Sequence, residues 1–164
     1  MTIGIIGAGN IGQAIAKHLA RAGIPASIAN NRGPSSLSSM VQSLGAGITA
    51  AEIKVAAKAD IVFLAVPWDA YADAVAGLAP WGGRIVVDAM NAASVGPEGF
   101  RPANLGGKSS SQLVAERLTG ARVVKAFNTL PAAALASDPH ADGGTGAICL
   151  GRRRAVKVAA ISSG

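Results

Sequence analysis

The sequence has one cysteine, Cys149, and two histidines in 164 residues. A lone thiol excludes an internal disulfide framework and a cysteine-based zinc site, and no His/Asp/Glu spacing suits another metal. Aromatic residues are only 4% of the chain, which does not suit a stacking surface for single-stranded nucleic acid. Charged residues are 15% and mean hydropathy is +0.38, the opposite of a disordered basic chain. No apolar run approaches the roughly 20 residues that span a bilayer. Met1 leads straight into a strand-like stretch, with no basic leader or cleavage site. These absences point to a soluble, cytoplasmic, single-domain protein.

What is abundant is small. The chain has 35 alanines and 21 glycines, a composition that favours close packing of helices on a sheet. The net charge of +6 and pI near 10.1 raise the question of a polyanionic partner. Arg152, Arg153, Arg154 and Lys157 supply four of those six charges. A terminal charge run of this kind reads as a solvated tail or partial helix, so nucleic acid is set aside as a partner. Residues 1–151 are expected to form one domain, and 152–164 a basic tail or partial helix.

Strand and helix patterns alternate along the chain. Thr2–Ile6, Ala26–Ala29, Gly47–Thr49, Asp60–Val66, Gly83–Asp88, Arg122–Phe127 and Thr145–Leu150 read as strands. Helices are expected over Gln13–Ala22 (Gly23 as C-cap), Pro34–Leu44, Ala50–Lys58, Ala70–Leu78 and Ser109–Leu118, with a helical turn at Pro131–Ala136. Ala89–Gly107 reads as a long irregular loop and Asp138–Gly146 as a surface loop. Continuous Val/Ile-rich strands indicate a parallel sheet covered on both faces. The expected fold is α/β: a doubly wound, mostly parallel sheet with helices on both faces.

The segment Gly7-Ala8-Gly9-Asn10-Ile11-Gly12 matches G-x-G-x-x-G between a strand and an amphipathic helix. In that setting Gly7 allows the tight turn, Gly9 lets the backbone approach a pyrophosphate, and Gly12 lets the helix pack on the strand. The phosphates meet free N–H groups at the helix N-terminus. The end of the second strand selects between dinucleotides. An NAD site places an acid there, whereas Asn30-Asn31-Arg32-Gly33-Pro34-Ser35-Ser36 contains none. Arg32 offers a forked, charge-assisted clamp for a 2′-phosphate. Asn31, Ser35 and Ser36 add donors. NADP is therefore favoured over NAD, and the missing acid also argues against a methyltransferase.

Ligands of such sheets lie across the C-terminal strand ends. There, Ala65-Val66-Pro67-Trp68 is placed to flank a nicotinamide ring and its ribose, with Trp68 equally suited to interior packing. Asn91 and Asn128 suit either ligand contact or the capping of their own turns. Tyr71 is followed four residues later by Val75, not Lys, so the Tyr-x-x-x-Lys pair of short-chain dehydrogenases is absent. His18 reads as a surface residue, His140 lies in the second loop, and Asp60 and Asp88 bound strands and orient backbone. No catalytic side chain stands out. A site without a visible proton donor suits hydride transfer between two cofactor-like rings, where positioning supplies most of the catalysis.

Several segments, in order, resemble the NADPH-dependent deazaflavin coenzyme (F-420) reductase family. They are IGIIGAGNIGQAIA from Ile3, ANNRGPSSL from Ala29, Val66–Trp68 with Asp69, VVDAMN from Val86, and VVKAFNTLP from Val123. The resemblance implies an NAD(P)-binding Rossmann fold with NADP(H) on Gly7, Gly9, Asn10, Ile11 and Gly12. It implies Asn31, Arg32 and Ser35 near the 2′-phosphate, and the nicotinamide near Val66, Pro67 and Trp68. It further implies hydride passing between nicotinamide C4 and a deazaflavin or another small redox acceptor. Set against the family, the chain ends short of a helix, a strand and a C-terminal helix. Two expectations follow: a homodimer that buries the exposed sheet, and, as the alternative function, a dinucleotide-binding module without turnover.

Overall fold

The computed structural model describes residues 1–97, 99–138, 148–152 and 155–159. The chain runs β1 (Ile3–Ile6), α1 (Asn10–Arg21), β2 (Ala26–Ala29), α2 (Ser38–Leu44), β3 (Ile48–Ala50), α3 (Ile53–Ala56), β4 (Ile61–Leu64), α4 (Tyr71–Ala74) and β5 (Ile85–Asp88). It continues through β6 (Ala93–Gly96), β7 (Gly99–Pro102), α5 (Ser110–Arg117), β8 (Arg122–Lys125), α6 (Ala132–Ala136), β9 (Ile148–Arg152) and β10 (Ala155–Ala159). The main sheet has the order β10-β9-β8-β5-β4-β1-β2-β3. Its six strands from β8 to β3 are parallel, and β9 and β10 are antiparallel. The order reverses between β1 and β4, which is where sheets of this kind open a crevice at the C-terminal strand ends. The doubly wound α/β fold expected from the alternation is the one observed.

Both faces of the sheet are buried, so β1 and β4 are apolar at every position. Ile5 and Phe63 point to the face that carries α1, α2 and α6, where they meet Ile15, Ile28, Leu37 and Leu135. Ile6, Val62 and Leu64 point to the other face and pack with Ala56, Trp81, Val86, Val114 and Leu118. Gly4 shares that face. A Cβ there would stand 2.1 Å from the Ala56 carbonyl oxygen, so the missing side chain is what lets α3 lie against β1.

Local signals set the helix ends. Gly23, at φ +67, closes α1 as its N–H donates to the Ala20 carbonyl while the Ile24 N–H reaches Leu19. Ser109 caps α5 in a reciprocal pair. Its Oγ accepts from the Gln112 N–H, and the Gln112 side chain accepts from the Ser109 N–H.

Four expectations are corrected. Ala89–Gly107 is not wholly irregular: β6 and β7 form an antiparallel hairpin with Gly96 opposite Gly99. The Gly-Pro-x-Gly turn signal is present, but β7 is exposed along its length, so no apolar alternation announces it. Residues 155–159, expected within a tail or partial helix, pair with β9 as an edge strand, in keeping with the β-branched Val156 and Val158. His18 is half-buried rather than on the open surface, its Nε2 paired with the Leu135 carbonyl of α6. The helices expected over Ala50–Lys58 and Ala70–Leu78 shrink to α3 and to a 3-10 turn at Trp68–Ala70 followed by α4. His140, Arg153 and Arg154 lie outside the described residues, as does most of the Asp138–Gly146 loop. No helix among the described residues is long and apolar enough to cross a membrane.

Candidate functional site

A cavity of about 490 Å³ opens at the C-terminal ends of β1, β2 and β4. Gly7, Ala8 and Gly9 form one wall, Asn31 and Arg32 a second, and Ala65, Val66 and Pro67 a third. Three elements that are far apart in sequence meet here because β1 pairs with both β2 and β4.

The three glycines of the loop have different tasks. Gly7 sits at φ +111, and a Cβ on it would stand 2.2 Å from the Ala65 carbonyl oxygen. A Cβ on Gly12 would stand 1.9 Å from the Gly7 carbonyl oxygen. Both are glycine because protein atoms already occupy the space. Gly9 is the opposite case, since a Cβ there meets nothing within 4 Å. Its bareness leaves the cavity wall open for something to approach the backbone. Gly9 is also the N-cap of α1, has no capping side chain, and no acid stands in the first turn. The helix therefore offers its first N–H groups, and the positive end of its dipole, without competition. That arrangement suits an anion.

The turn after β2 is built by Asn30 and Ser36. Asn30 Oδ1 accepts from the Arg32 N–H at 3.0 Å, and Asn30 Nδ2 donates to Ser36 Oγ at 3.0 Å. Ser36 Oγ donates in turn to the Gly33 carbonyl at 2.7 Å. Gly33, at φ +85, completes the bend. The result holds the backbone beneath Arg32 while its exposed guanidinium has no partner among the described residues. Acids from outside residues 30–36 also stand near the cavity. Asp73 of α4 lines the cavity, and Glu52 Oε1 lies 3.9 Å from the Cβ position of Gly33. Ile53, Ala70 and Ala74 add apolar surface to the lining.

The remaining sequence-selected residues fall outside the cavity lining. Asn10 is exposed at the start of α1, Ile11 packs against the α1-side core, and Ser35 is exposed in the Pro34–Leu37 turn. Trp68 packs against the other core with its ring centroid 4.7 Å from that of Tyr71. Asn91 lies beyond β5, where its Nδ2 donates to the Asn128 carbonyl and its Oδ1 accepts from Asn128 Nδ2, both at 3.3 Å. Beneath that pair, Asp88 is fully buried, and its Oδ2 is 3.0 Å from Lys125 Nζ. No signal in the sequence pairs Asp88 with Lys125; register does, because the two are Cα partners on β5 and β8. Among the described residues, no cluster of His, Cys, Asp and Glu could hold a metal.

Residues 2–92 match the family described as NADP oxidoreductase, coenzyme F420-dependent. Among solved structures, a hypothetical protein from Sinorhizobium meliloti is 54% identical, with a TM-score of 0.81 over 88% of this chain and 70% of that one. A candidate F420-dependent NADP-reductase from Arthrobacter sp. FB24 is 22% identical, with a TM-score of 0.71 over 92% of this chain and 72% of the other. A reductive aminase from Aspergillus terreus, solved with NADPH and ethyl-5-oxohexanoate, shares the fold at 20% identity and a TM-score of 0.56, over 76% of this chain and 40% of that enzyme. No curated protein matches the sequence.

Proposed function

The chain belongs to the coenzyme F420-dependent NADP oxidoreductase family, and on that premise we propose that it passes hydride between NADP(H) and a deazaflavin-like or other small redox acceptor. The observation that carries this reading is the cavity itself: an uncapped helix start at Gly9, an open approach over its backbone, and in one wall Arg32, whose guanidinium has no partner among the described residues.

These features fit a dinucleotide bearing a 2′-phosphate. Gly9, Asn10, Ile11 and Gly12 would hold the pyrophosphate end through backbone N–H groups and the α1 dipole, while Gly7, whose own N–H donates to the Ala29 carbonyl at 2.9 Å, would shape the turn. Asn31, Arg32 and Ser35 would take the 2′-phosphate, with the guanidinium giving a two-pronged contact. Ala65, Val66, Pro67 and Trp68 would flank the nicotinamide side, with Asn91 beyond them. When bound, NADPH supplies the hydride. The protein's part is to fix the ring's position and keep water from its reactive face, since positioning supplies much of the rate of a hydride transfer. Residues 1–151 would carry the nucleotide site.

Titration with NADPH and NADH, followed by a screen of deazaflavin, flavin and quinone acceptors for loss of reduced-nicotinamide absorbance, tests the proposal. Equal affinity for the two nucleotides would sink the cofactor assignment. Tight NADPH binding without oxidation by any acceptor would favour the binding module without turnover. The reading also carries a cytoplasmic location and a homodimer. Exposed Phe100 and Leu130 support the homodimer, and a monomer by light scattering would contradict it.

A further inference from the structure

Asp88 and Lys125 form a charged pair with almost no water around it: Asp88 is fully buried and the Lys125 side chain is 17% exposed. Such a pair is a poor device for stability alone, because apolar residues of the same volume often do as well. What it holds is specific. Asp88 Oδ1 accepts from the Met90 N–H at 3.0 Å, and Lys125 Nζ donates to the Met90 carbonyl. The Met90 residue is therefore gripped at both its N–H and its C=O.

The next residue is Asn91, in its reciprocal pair with Asn128. Asn128 follows Phe127, a non-glycine residue held at φ +66, a strained conformation of the kind that collects at functional sites. The place is also telling. Asp88 is the register partner of Leu64, directly before the cavity-lining Ala65, Val66 and Pro67. β6, which starts two residues after Asn91, packs against the Trp68–Ala70 turn. After the two mutual bonds, each amide nitrogen keeps one N–H, and no donor among the described residues reaches Asn128 Oδ1. A remaining acceptor beside a remaining donor is the complement of a primary carboxamide.

Resting on the dinucleotide reading above, we propose that the Asn91–Asn128 pair recognises the carboxamide of the nicotinamide ring. Asp88 and Lys125 are the positioning residues that present it. The pair then fixes which face of the ring meets the acceptor, and the charges beneath set the height and angle of the pair.

The test uses ligands that differ at that carboxamide. In the 3-acetylpyridine analogue of NADP+ a methyl group replaces the amide NH2, removing the donor that Asn128 Oδ1 would accept. The analogue, NADP+ and 2′,5′-ADP are titrated into the unaltered protein, into Asn128→Ala, and into the double variant Asp88→Asn with Lys125→Met. The double variant removes both charges together and so leaves none buried alone. The unaltered protein is expected to prefer NADP+ over the analogue about fivefold to tenfold, the worth of one hydrogen bond. Both variants should lose that preference and keep their affinity for 2′,5′-ADP, which lacks the nicotinamide half. A preference that persists in either variant, or is missing from the unaltered protein, overturns the proposal. Failure of 2′,5′-ADP to bind the unaltered protein would overturn the dinucleotide reading and this proposal with it.

Discussion

The Gly7 carbonyl oxygen stands 1.9 Å from the position a Cβ on Gly12 would take, so the first and last glycines of the loop touch across the start of α1. Gly9, between them, touches nothing on its side-chain side. One motif thus contains two packing glycines and one that keeps an approach open.

Alanine at these positions separates the two tasks. Gly12→Ala forces the helix off β1 and should cost about 2–4 kcal/mol of stability, within the range of severe core overpacking. Gly9→Ala should leave the melting temperature within a few degrees but weaken NADPH tenfold or more. Calorimetric melting and NADPH titration of both variants check this. Equal loss of stability in the two would contradict the division.

Arg32→Ala should reduce NADPH affinity by about 10- to 100-fold, the range for a charged hydrogen-bonded contact of about 1.5–3 kcal/mol, while NADH affinity stays nearly constant. Glu52, close to the same turn, opposes a 2′-phosphate. Glu52→Gln should therefore strengthen NADPH about twofold to fivefold and flatten its salt dependence little. Parallel titrations of the two nucleotides at two ionic strengths measure both effects.

Removing one member of the buried pair should be far worse than removing both. Lys125→Met leaves Asp88 charged and enclosed, at a cost of about 3–5 kcal/mol, whereas Asp88→Asn with Lys125→Met should lose much less. Denaturant unfolding of the single and double variants gives the comparison directly. Additive losses would mean that the two charges do not compensate each other.

Asp60 carries a pH-dependent share of stability. Hydrogen bonds from the Thr2 N–H and hydroxyl, with smaller help from the N-terminus and Arg84, hold its carboxyl below the ordinary 3.8. A folded-state value below the unfolded one means this contribution is present above pH 4 and is lost as pH falls through the folded value. Thr2→Val removes the hydroxyl donor and should move the Asp60 titration upward, measured by NMR, with less acid sensitivity in the unfolding curve.

Much of the β1–α1–β2 region was legible because its signals are local. A strand, a glycine loop and a helix in succession announce the β1–α1 unit, and Asn30–Ser36 carries its own turn chemistry and its own lack of acid. The β6–β7 hairpin was not legible, since an exposed edge has no apolar alternation to display. Trp68 was open to two readings, and in the structure it packs with Tyr71 against the core edge rather than lining the cavity.

The class of fold, the position of the glycine loop and the absence of acid after the second strand could all be read from the amino-acid order. Each of these is written within a few consecutive residues, where propensity and motif act. Folding alone brings Asp73 and Arg32 to one cavity, His18 to Leu135, and Asp88 to Lys125 next to Asn91 and Asn128. Asp88 and Lys125 are 37 residues apart, and nothing in either neighbourhood names the other. Parallel register between β5 and β8 brings them together, and register is set by burial across the whole sheet.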